Sequence, residues 1–263
     1  MQLIDIFLKP TLMTSNDTTP FKPADSLTVT VAKHIAGEII TGRLAAGSRI
    51  QEQEQAATLN VSRGVVREAL LLLERWHLLQ IQPRRGAVVT RMTAFEVVGL
   101  YQVWSNLMQL LTRQLVSGAS DSDIGTYTGL LQQLEQSLTR GQFDKFFELR
   151  IAIYEQSCQA ANNPFLTRLL GDIFPAAMRA GYLLAVNGGL EWLMEVRQFF
   201  VDMLPLAQNR DSDGAARLLT RFYERECALV LAELEKQRLK AGPAISSADS
   251  ADATPALAAA PAA

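Results

Sequence analysis

The sequence of 263 residues contains only two histidines, His34 and His77, and only two cysteines, Cys158 and Cys227. Two cysteines are too few for a disulfide framework, and their spacing does not match a metal site, so we expect a reduced protein. Both histidines precede residue 78. The rest of the chain therefore cannot supply histidine for a metal site or for acid–base catalysis.

Long uninterrupted apolar runs are also lacking, although 48% of the residues are hydrophobic. No stretch approaches the roughly 20 apolar residues that a membrane-spanning helix needs. The first residues, MQLIDIFLKPTLM, lack the basic region and the A-x-A cleavage site of a signal peptide. We therefore expect a cytoplasmic protein without a membrane partner.

The net charge of −2 is small, but its distribution along the chain is uneven. Residues 27–92 contain 9 Lys or Arg and 5 Asp or Glu, a net charge of +4. Residues 93–240 contain 14 Lys or Arg and 17 Asp or Glu, a net charge of −3. A basic N-terminal region on a slightly acidic remainder is typical of a small domain that binds a polyanion.

Composition and periodicity divide the chain into four parts. Residues 1–25 are polar and are predicted to form a flexible arm, and residues 241–263, rich in Ala, Ser and Pro, a disordered tail. Residues 26–92 contain short helical segments followed by two strand-like runs. Residues 93–240 show helical spacing almost throughout, with breaks that include Gly188–Gly189, which predicts about six helices in an antiparallel bundle. The predicted fold is thus mostly α.

A helix-turn-helix is predicted around the stretch LNVSRGVVREALLLL, residues 59–73. A short helix ends before Asn60, and Ser62 is a plausible N-cap for the next helix. Arg63 and Arg67 are four residues apart and share one face of that helix, whereas leucines occupy the opposite face. In this motif the front of the second helix enters the major groove, where arginine can bind guanine through two hydrogen bonds.

A basic hairpin follows this helix. The runs LLQIQ and AVVTR flank Pro83-Arg84-Arg85-Gly86, which predicts two strands joined by a turn. Gly86 would let the backbone approach a sugar-phosphate closely, and Arg84 or Arg85 could reach the minor groove. The hairpin is therefore predicted to be the wing of a winged helix-turn-helix domain. The alternative is that the arginines of the helix-turn-helix and of the hairpin are ordinary solvated surface charges.

The run AGEIITGRLAAGSRIQEQEQAATLNVSRGVVREALLLLERWHLLQIQPRRGAVV resembles the N-terminal domain of GntR-family transcription regulators. The remainder, including FDKFFELRIAIYEQSCQAANNPFLTRLL, resembles the ligand-sensing domain of the FadR-type branch. The resemblance implies a homodimeric regulator that binds a palindromic operator in double-stranded DNA and responds to a small metabolite. Gln53 stands where some relatives have a DNA-contacting arginine. The implied DNA-binding residues are Gln53, Ser62, Arg63, Arg67, Arg84, Arg85 and Gly86.

Most members of that branch are expected to hold a divalent metal with one Asp and three His. By the resemblance these four positions fall on Arg150, Tyr154, Phe200 and Phe222, the last two with an uncertainty of one residue toward Phe199 and Tyr223. Trp104 stands where many relatives have an arginine that faces the ligand. We therefore expect no metal or other cofactor, and a site formed by Trp104, Arg150, Tyr154, Phe200 and Phe222. Such a site would bind a small organic anion, such as an acyl-CoA or another apolar acid, directly on Arg150.

Three alternatives remain at this point. The aromatic side chains could fill the interior of the helical domain, with Arg150 at the surface or paired with Glu148 or Glu155. An α-helical enzyme with an accessory domain is a second possibility, although no catalytic constellation can be assembled from the sequence and no enzymatic activity is predicted. The third is a nucleoid-type DNA-binding protein without a ligand, which would have a larger basic excess.

Overall fold

The computed structural model describes residues 26–241. The predicted arm of residues 1–25 and, apart from Ala241, the predicted tail of residues 241–263 lie outside the described residues. The described part of the chain forms eight helices and three strands: α1 (Leu27–Ile40), β1 (Arg49–Ile50), α2 (Glu52–Leu59), α3 (Arg63–Arg75), β2 (Leu79–Gln82), β3 (Gly86–Val89), α4 (Ala94–Gly118), α5 (Asp121–Thr139), α6 (Phe143–Ala160), α7 (Pro164–Gln208) and α8 (Ser212–Ala241).

The N-terminal domain packs three helices against a small antiparallel sheet. Strand β3 lies between β1 and β2, with Ala87 opposite Ile81 on one side and opposite Ile50 on the other. Ile35 of α1 and Leu73 of α3 are fully buried in the core beneath this sheet. The predicted hairpin is β2–β3. Strand β1 was not predicted, because two residues are too few to show a period.

The C-terminal domain consists of α4 to α8. Thr93 and Glu96 form a capping box at the start of α4: the Thr93 hydroxyl accepts the Glu96 N–H at 3.2 Å, and the Glu96 carboxylate accepts the Thr93 N–H at 3.0 Å. Helix α4 packs mainly against α7 and α8. The predicted mostly α fold, with a winged helix-turn-helix followed by a helical domain, is confirmed.

Helix α7 is broken at Gly189, where φ is 56° and ψ is −143°. A residue with a Cβ rarely adopts this backbone conformation, so glycine is favoured here. The predicted interruption at Gly188–Gly189 therefore corresponds to a change of direction between two helical segments. As a result, one long element supplies two separate walls of the domain interior.

Helix α7 also changes one expectation from the sequence. It contains an 18-residue window with a mean hydropathy of 1.3, so one described helix is long and apolar enough to cross a membrane. From the sequence alone, no stretch was expected to approach the roughly 20 apolar residues that a membrane span needs. Leu170, Ala180 and Trp192 of this helix are buried in the domain core. Length and composition of this kind also occur in helices that belong to the core of a protein outside a membrane.

The first half of α7 makes an ion pair and hydrogen bonds with the N-terminal domain. Asp172 forms an ion pair with Arg75 at the end of α3, with 2.6 Å between the carboxylate and guanidinium atoms. The Arg179 guanidinium donates to the hydroxyl and the carbonyl oxygen of Thr90, at 3.0 and 2.9 Å. Burial lowers the pKa of Arg179 from its usual value, opposed by the nearby Glu96. The helical domain thus contacts both the end of α3 and the segment after the wing.

Candidate DNA-binding surface and ligand cavity

The start of α3 is fixed by the turn that precedes it. Asn60 adopts a left-handed conformation with φ of 52°, and the Ser62 hydroxyl accepts the Val65 N–H at 3.3 Å as an N-cap. Arg63 and Arg67 follow on the exposed side of the helix. The opposite side is buried in the domain core through Val66, Ala69, Leu70 and Leu73. The two arginines therefore stand on a rigid helix and face solvent.

Helix α2 supplies a partner for each arginine. The Arg63 guanidinium donates to Gln53 Oε1 at 2.5 Å, and the Arg67 guanidinium lies 3.3 Å from Glu52 Oε2. The Arg67 side chain remains 70% exposed. Sequence analysis singled out Gln53 but missed Glu52, although an acidic residue in the first turn of α2 was a visible signal. These contacts orient the arginines without burying them.

The wing presents a second basic surface. Arg84 and Arg85 are exposed at the turn between β2 and β3, where Arg84 has φ of 65° and Gly86 has φ of 75°. A Cβ placed on Gly86 would lie 3.6 Å from Arg49 Nε, so the Arg49 side chain of β1 lies beside the turn. Arg49 is exposed and was missed by the sequence analysis, because the strand that positions it was not predicted. The wing thus brings three arginines together.

A cavity of about 680 Å³ lies inside the helical domain, between α4, α5, α6, α7 and α8. Four of the five predicted ligand-binding residues line it: Trp104, Arg150, Tyr154 and Phe200. The fifth, Phe222, is not among the lining residues and instead stacks on Phe199, with 4.4 Å between ring centroids. Its neighbour Tyr223 lines the cavity, as does Phe199. The aromatic residues therefore leave space between them rather than filling the interior.

One wall of the cavity is built from stacked aromatic rings. The rings of Tyr154 and Phe174 are parallel with centroids 4.2 Å apart, and Trp104 lies 5.9 Å from Tyr154. Tyr223 meets Trp104 edge-on at 6.0 Å. Burial strongly raises the pKa of both tyrosines, so their hydroxyls remain protonated. Such a wall suits an apolar ligand body.

Arg150 and Glu226 face the same end of the cavity. Arg150 Cζ lies 5.1 Å from the centre of the Trp192 ring, a cation–π contact. Glu226 of α8 is only 4% exposed, and burial raises the pKa of its carboxyl to about 7, opposed by the positive charge of Arg150. Sequence analysis missed Glu226, although it lies three residues after Tyr223 on the same helical face. The polar end thus contains one positive group and one buried acid.

One more polar atom in the cavity wall, Oε1 of Gln114, is buried without a hydrogen-bond partner among the described residues. The Tyr101 hydroxyl also lines the cavity and lies beside the Glu226 carboxyl, whose pKa it lowers. Burial without a partner costs free energy that a ligand or water in the cavity can offset. Burial, together with the neighbouring charge of Glu226, also raises the pKa of Tyr101 well above its usual value. The cavity is therefore apolar along its wall and polar at defined points.

The residues present do not fit a metal site with one Asp and three His. Of the positions that correspond by resemblance, Arg150 has a positive charge, Tyr154 offers only a protonated phenol, and Phe200 and Phe222 have no donor atom. Within residues 26–241, no group of three or more His, Cys, Asp or Glu side chains could hold a metal ion. The positive charge of Arg150 therefore disfavours a metal cation at the position where the resemblance places an Asp ligand.

Two family descriptions match the chain. The description "Bacterial regulatory proteins, gntR family" matches residues 27–89, which contain both the helix-turn-helix and the wing. The description "FCD domain" matches residues 100–225, which form most of the cavity wall. The two matches therefore coincide with the two candidate sites.

Individual relatives agree with these matches. The chain is 40% identical to the HTH-type transcriptional regulator BphR of Paraburkholderia xenovorans, over 80% of this chain and 88% of that protein. It is 24% identical to the HTH-type transcriptional repressor RspR of Escherichia coli, over 78% of this chain and 90% of that protein. Among solved structures, E. coli McbR/YncC has a similar fold, with a TM-score of 0.69, 19% identity and coverage of 80% of this chain and 100% of that one.

Proposed function

The chain belongs to the gntR family of bacterial regulatory proteins, and from this premise we propose that a small organic anion, bound in the FCD domain without a metal, controls how tightly it binds DNA. The observation that carries this proposal is the cavity of about 680 Å³ with Arg150 in its wall. Members of the family are transcriptional regulators, so the alternative of an α-helical enzyme is set aside. Cytoplasmic localisation follows from the proposed operator binding.

On the DNA side, Arg63 and Arg67 read base edges in the major groove, and Arg84 and Arg85 contact the backbone or the minor groove. Ser62 fixes the start of the reading helix, Gln53 orients Arg63, and Gly86 allows close approach of the wing. One such helix covers only a few base pairs, so a palindromic operator requires two copies of the chain. DNA fragments bound by the purified protein, sequenced from a random pool, test this: absence of an inverted repeat contradicts it.

We propose that the two copies pair through the helical domain. Large apolar side chains are exposed there, among them Phe95 of α4 and Phe165 of α7, which are 89% and 82% exposed. Exposed apolar surface of this kind marks an interaction site when it forms a patch. Light scattering at micromolar concentration, with and without operator DNA, tests the proposal. A monomer under both conditions would rule out the homodimer.

In the cavity, the acid group of the ligand binds Arg150 and its apolar body packs against Trp104, Tyr154 and Phe200. Tyr223, rather than Phe222, completes this wall, because Tyr223 lines the cavity. Guanidinium can bind a carboxylate or phosphate with two hydrogen bonds and needs no metal for this. Metal analysis of protein purified without a tag tests the last point. About one equivalent of a transition metal per chain, removable only with loss of folding, would refute it.

Helix α7 couples the cavity to the DNA-binding domain in this proposal. Phe174 and Gly181 of its first half line the cavity, and Asp172 and Arg179, from the same stretch, contact the N-terminal domain. A ligand that shifts this half of α7 would change the position of α3 and the wing. Coupling between two sites of this kind is typically about 1–3 kcal/mol.

The decisive experiment measures release of selected operator DNA, by fluorescence anisotropy, on addition of acyl-CoAs, fatty acids and aromatic acids. Arg150→Ala should abolish the response to the active compound while operator affinity stays within about twofold. Arg150→Asp should be worse still, because it adds a negative charge and no histidines are available to rebuild a metal site. Arg221→Ala, which removes an exposed arginine from α8, is the matched control. A releasing ligand that binds Arg150→Ala as tightly as the wild type would contradict the proposal.

A further inference from the structure

The negative group at the polar end of the cavity restricts which acids can bind there. Glu226 is buried between helices: a Cβ placed on Gly181 of α7 would lie 3.1 Å from Glu226 Oε1, so the carboxyl rests against a position that has no side chain. Both Arg150 and Glu226 line the cavity, and their charges interact. A ligand acid group that reaches Arg150 therefore also approaches Glu226.

A ligand carboxylate without a neighbouring donor group, bound at Arg150, would be repelled by the Glu226 carboxylate. Two carboxylates that share one cation at close range cannot both remain ionised without cost, and a proton must be taken up. A hydrogen-bond donor placed between them removes the problem, because it turns Glu226 into an acceptor for the ligand. A hydroxyl or an ammonium group next to the ligand's acid group would supply this donor.

We infer that the effector is an organic acid with a hydrogen-bond donor, a hydroxyl or an ammonium group, adjacent to its acid group. The acid group binds Arg150, the donor binds the Glu226 carboxylate, and the apolar body lies against Tyr154 and Phe174. The Tyr101 hydroxyl lines the same wall beside the Glu226 carboxyl and adds a second polar group to this end of the cavity. This inference rests on the proposed function, because it needs Arg150 as the anion site.

The groups that face Glu226 make this selection depend on pH. They are Tyr101 from α4, Arg150 from α6 and Tyr223 and Cys227 from α8, whereas α7 contributes Gly181 and the nearby Trp192. Of these, only Arg150 is charged near neutral pH. Above neutral pH Glu226 is ionised and discriminates against plain acids; at pH 6 it is largely protonated and tolerates them.

The test uses matched acids that differ only at the carbon next to the acid group. The three sets are 3-phenylpropanoate, 3-phenyllactate and phenylalanine; 3-(indol-3-yl)propanoate, indole-3-lactate and tryptophan; and dodecanoate with its 2-hydroxy and 2-amino derivatives. Calorimetry at pH 8 and pH 6 measures each dissociation constant. In the set that binds best at pH 8, a donor-bearing acid should bind at least tenfold more tightly than the plain acid. The hydroxy and amino compounds show which donor is preferred.

Glu226→Gln should reduce this preference to less than threefold, mainly because the plain acid then binds more tightly. Glu224→Gln, an exposed position on the same helix, should leave the preference unchanged. Equal binding of plain and donor-bearing acids to the wild type at pH 8, or an unchanged preference in Glu226→Gln, would overturn this inference but not the proposed function. If none of the nine acids binds at millimolar concentration, this inference fails. If they bind Arg150→Ala as tightly as the wild type, Arg150 is not an anion site and both proposals fail.

Discussion

The arginines of the two domains work under different physical conditions. Arg63 and Arg67 remain exposed and make contacts with α2 that DNA can replace, and an exposed ion pair such as Arg67–Glu52 contributes only about 0.2–1 kcal/mol. Arg150 lines the cavity of the helical domain, whose wall also contains an acid, Glu226, that is 4% exposed. Water solvates an exposed arginine, so its position on the helix alone decides what it can contact. An arginine at a buried site loses this solvation and requires a polar or charged partner.

Removing one arginine from each domain gives the most direct test of this difference. Arg63→Ala should lose about 1–3 kcal/mol of operator binding and should relax base specificity, because a bidentate base contact is lost. Arg150→Ala should leave operator binding nearly unchanged. Anisotropy titrations with the selected operator and with a scrambled duplex measure both effects. Equal loss on the two duplexes would mean that Arg63 contacts only phosphate.

The buried acid should make stability depend on pH. Glu226 has a raised pKa of about 7 in the folded state against an ordinary value of 4.5. The folded state therefore binds more protons between these values, and the free energy of unfolding should fall as pH rises through this window. We expect Glu226→Gln to remove a decline on the order of 2 kcal/mol.

Urea unfolding at pH 5, 6, 7 and 8 measures this decline, with the exposed Glu224→Gln variant as a control that should follow the wild type. An identical pH dependence of wild type and Glu226→Gln would mean that this carboxyl does not titrate in the window.

Loss of the N-cap hydroxyl of α3 should lower stability and operator affinity more than loss of an exposed serine hydroxyl elsewhere. Ser62→Ala removes the hydroxyl that accepts the Val65 N–H, which should cost about 1 kcal/mol of stability and weaken operator binding. Ser122→Ala, in the exposed first turn of α5, is the control and should change neither quantity. Thermal unfolding and anisotropy measure the two effects; equal behaviour of both variants would show that the cap is dispensable.

The smallest expected effect concerns the ion pair between the domains. Arg75 and Asp172 are partly exposed, so a double-mutant cycle with Arg75→Gln and Asp172→Asn should give about 0.2–1 kcal/mol. If α7 couples the sites, Asp172→Asn should also reduce the ligand-induced change in operator affinity. The Arg225–Glu195 pair, which lies within the helical domain, is the control and should leave the coupling unchanged. Unchanged coupling in Asp172→Asn would exclude this contact from the pathway.

The difference between the exposed DNA-binding surface and the interior cavity also explains which residues could be predicted from the sequence. The exposed arginines of α3 and the wing follow local rules of helix phase and turn chemistry, so their places could be predicted. The cavity depends on packing between five helices. A shift of one residue moves a side chain by about 100° around a helix, which is why Tyr223 rather than Phe222 lines the wall. Glu226 was missed because an isolated acidic residue in a helix usually faces solvent.

The hydrogen bond from Arg63 to Gln53 has a consequence for the divergence of related regulators. The side chain that accepts the hydrogen bond from Arg63 belongs to α2, outside the helix that we propose enters the major groove. A substitution at residue 53 can therefore redirect Arg63 toward a different base while α3 keeps its sequence. Two duplicated genes in one cell could in this way acquire separate promoters through a single codon change, with the arginines of α3 and the cavity both left intact.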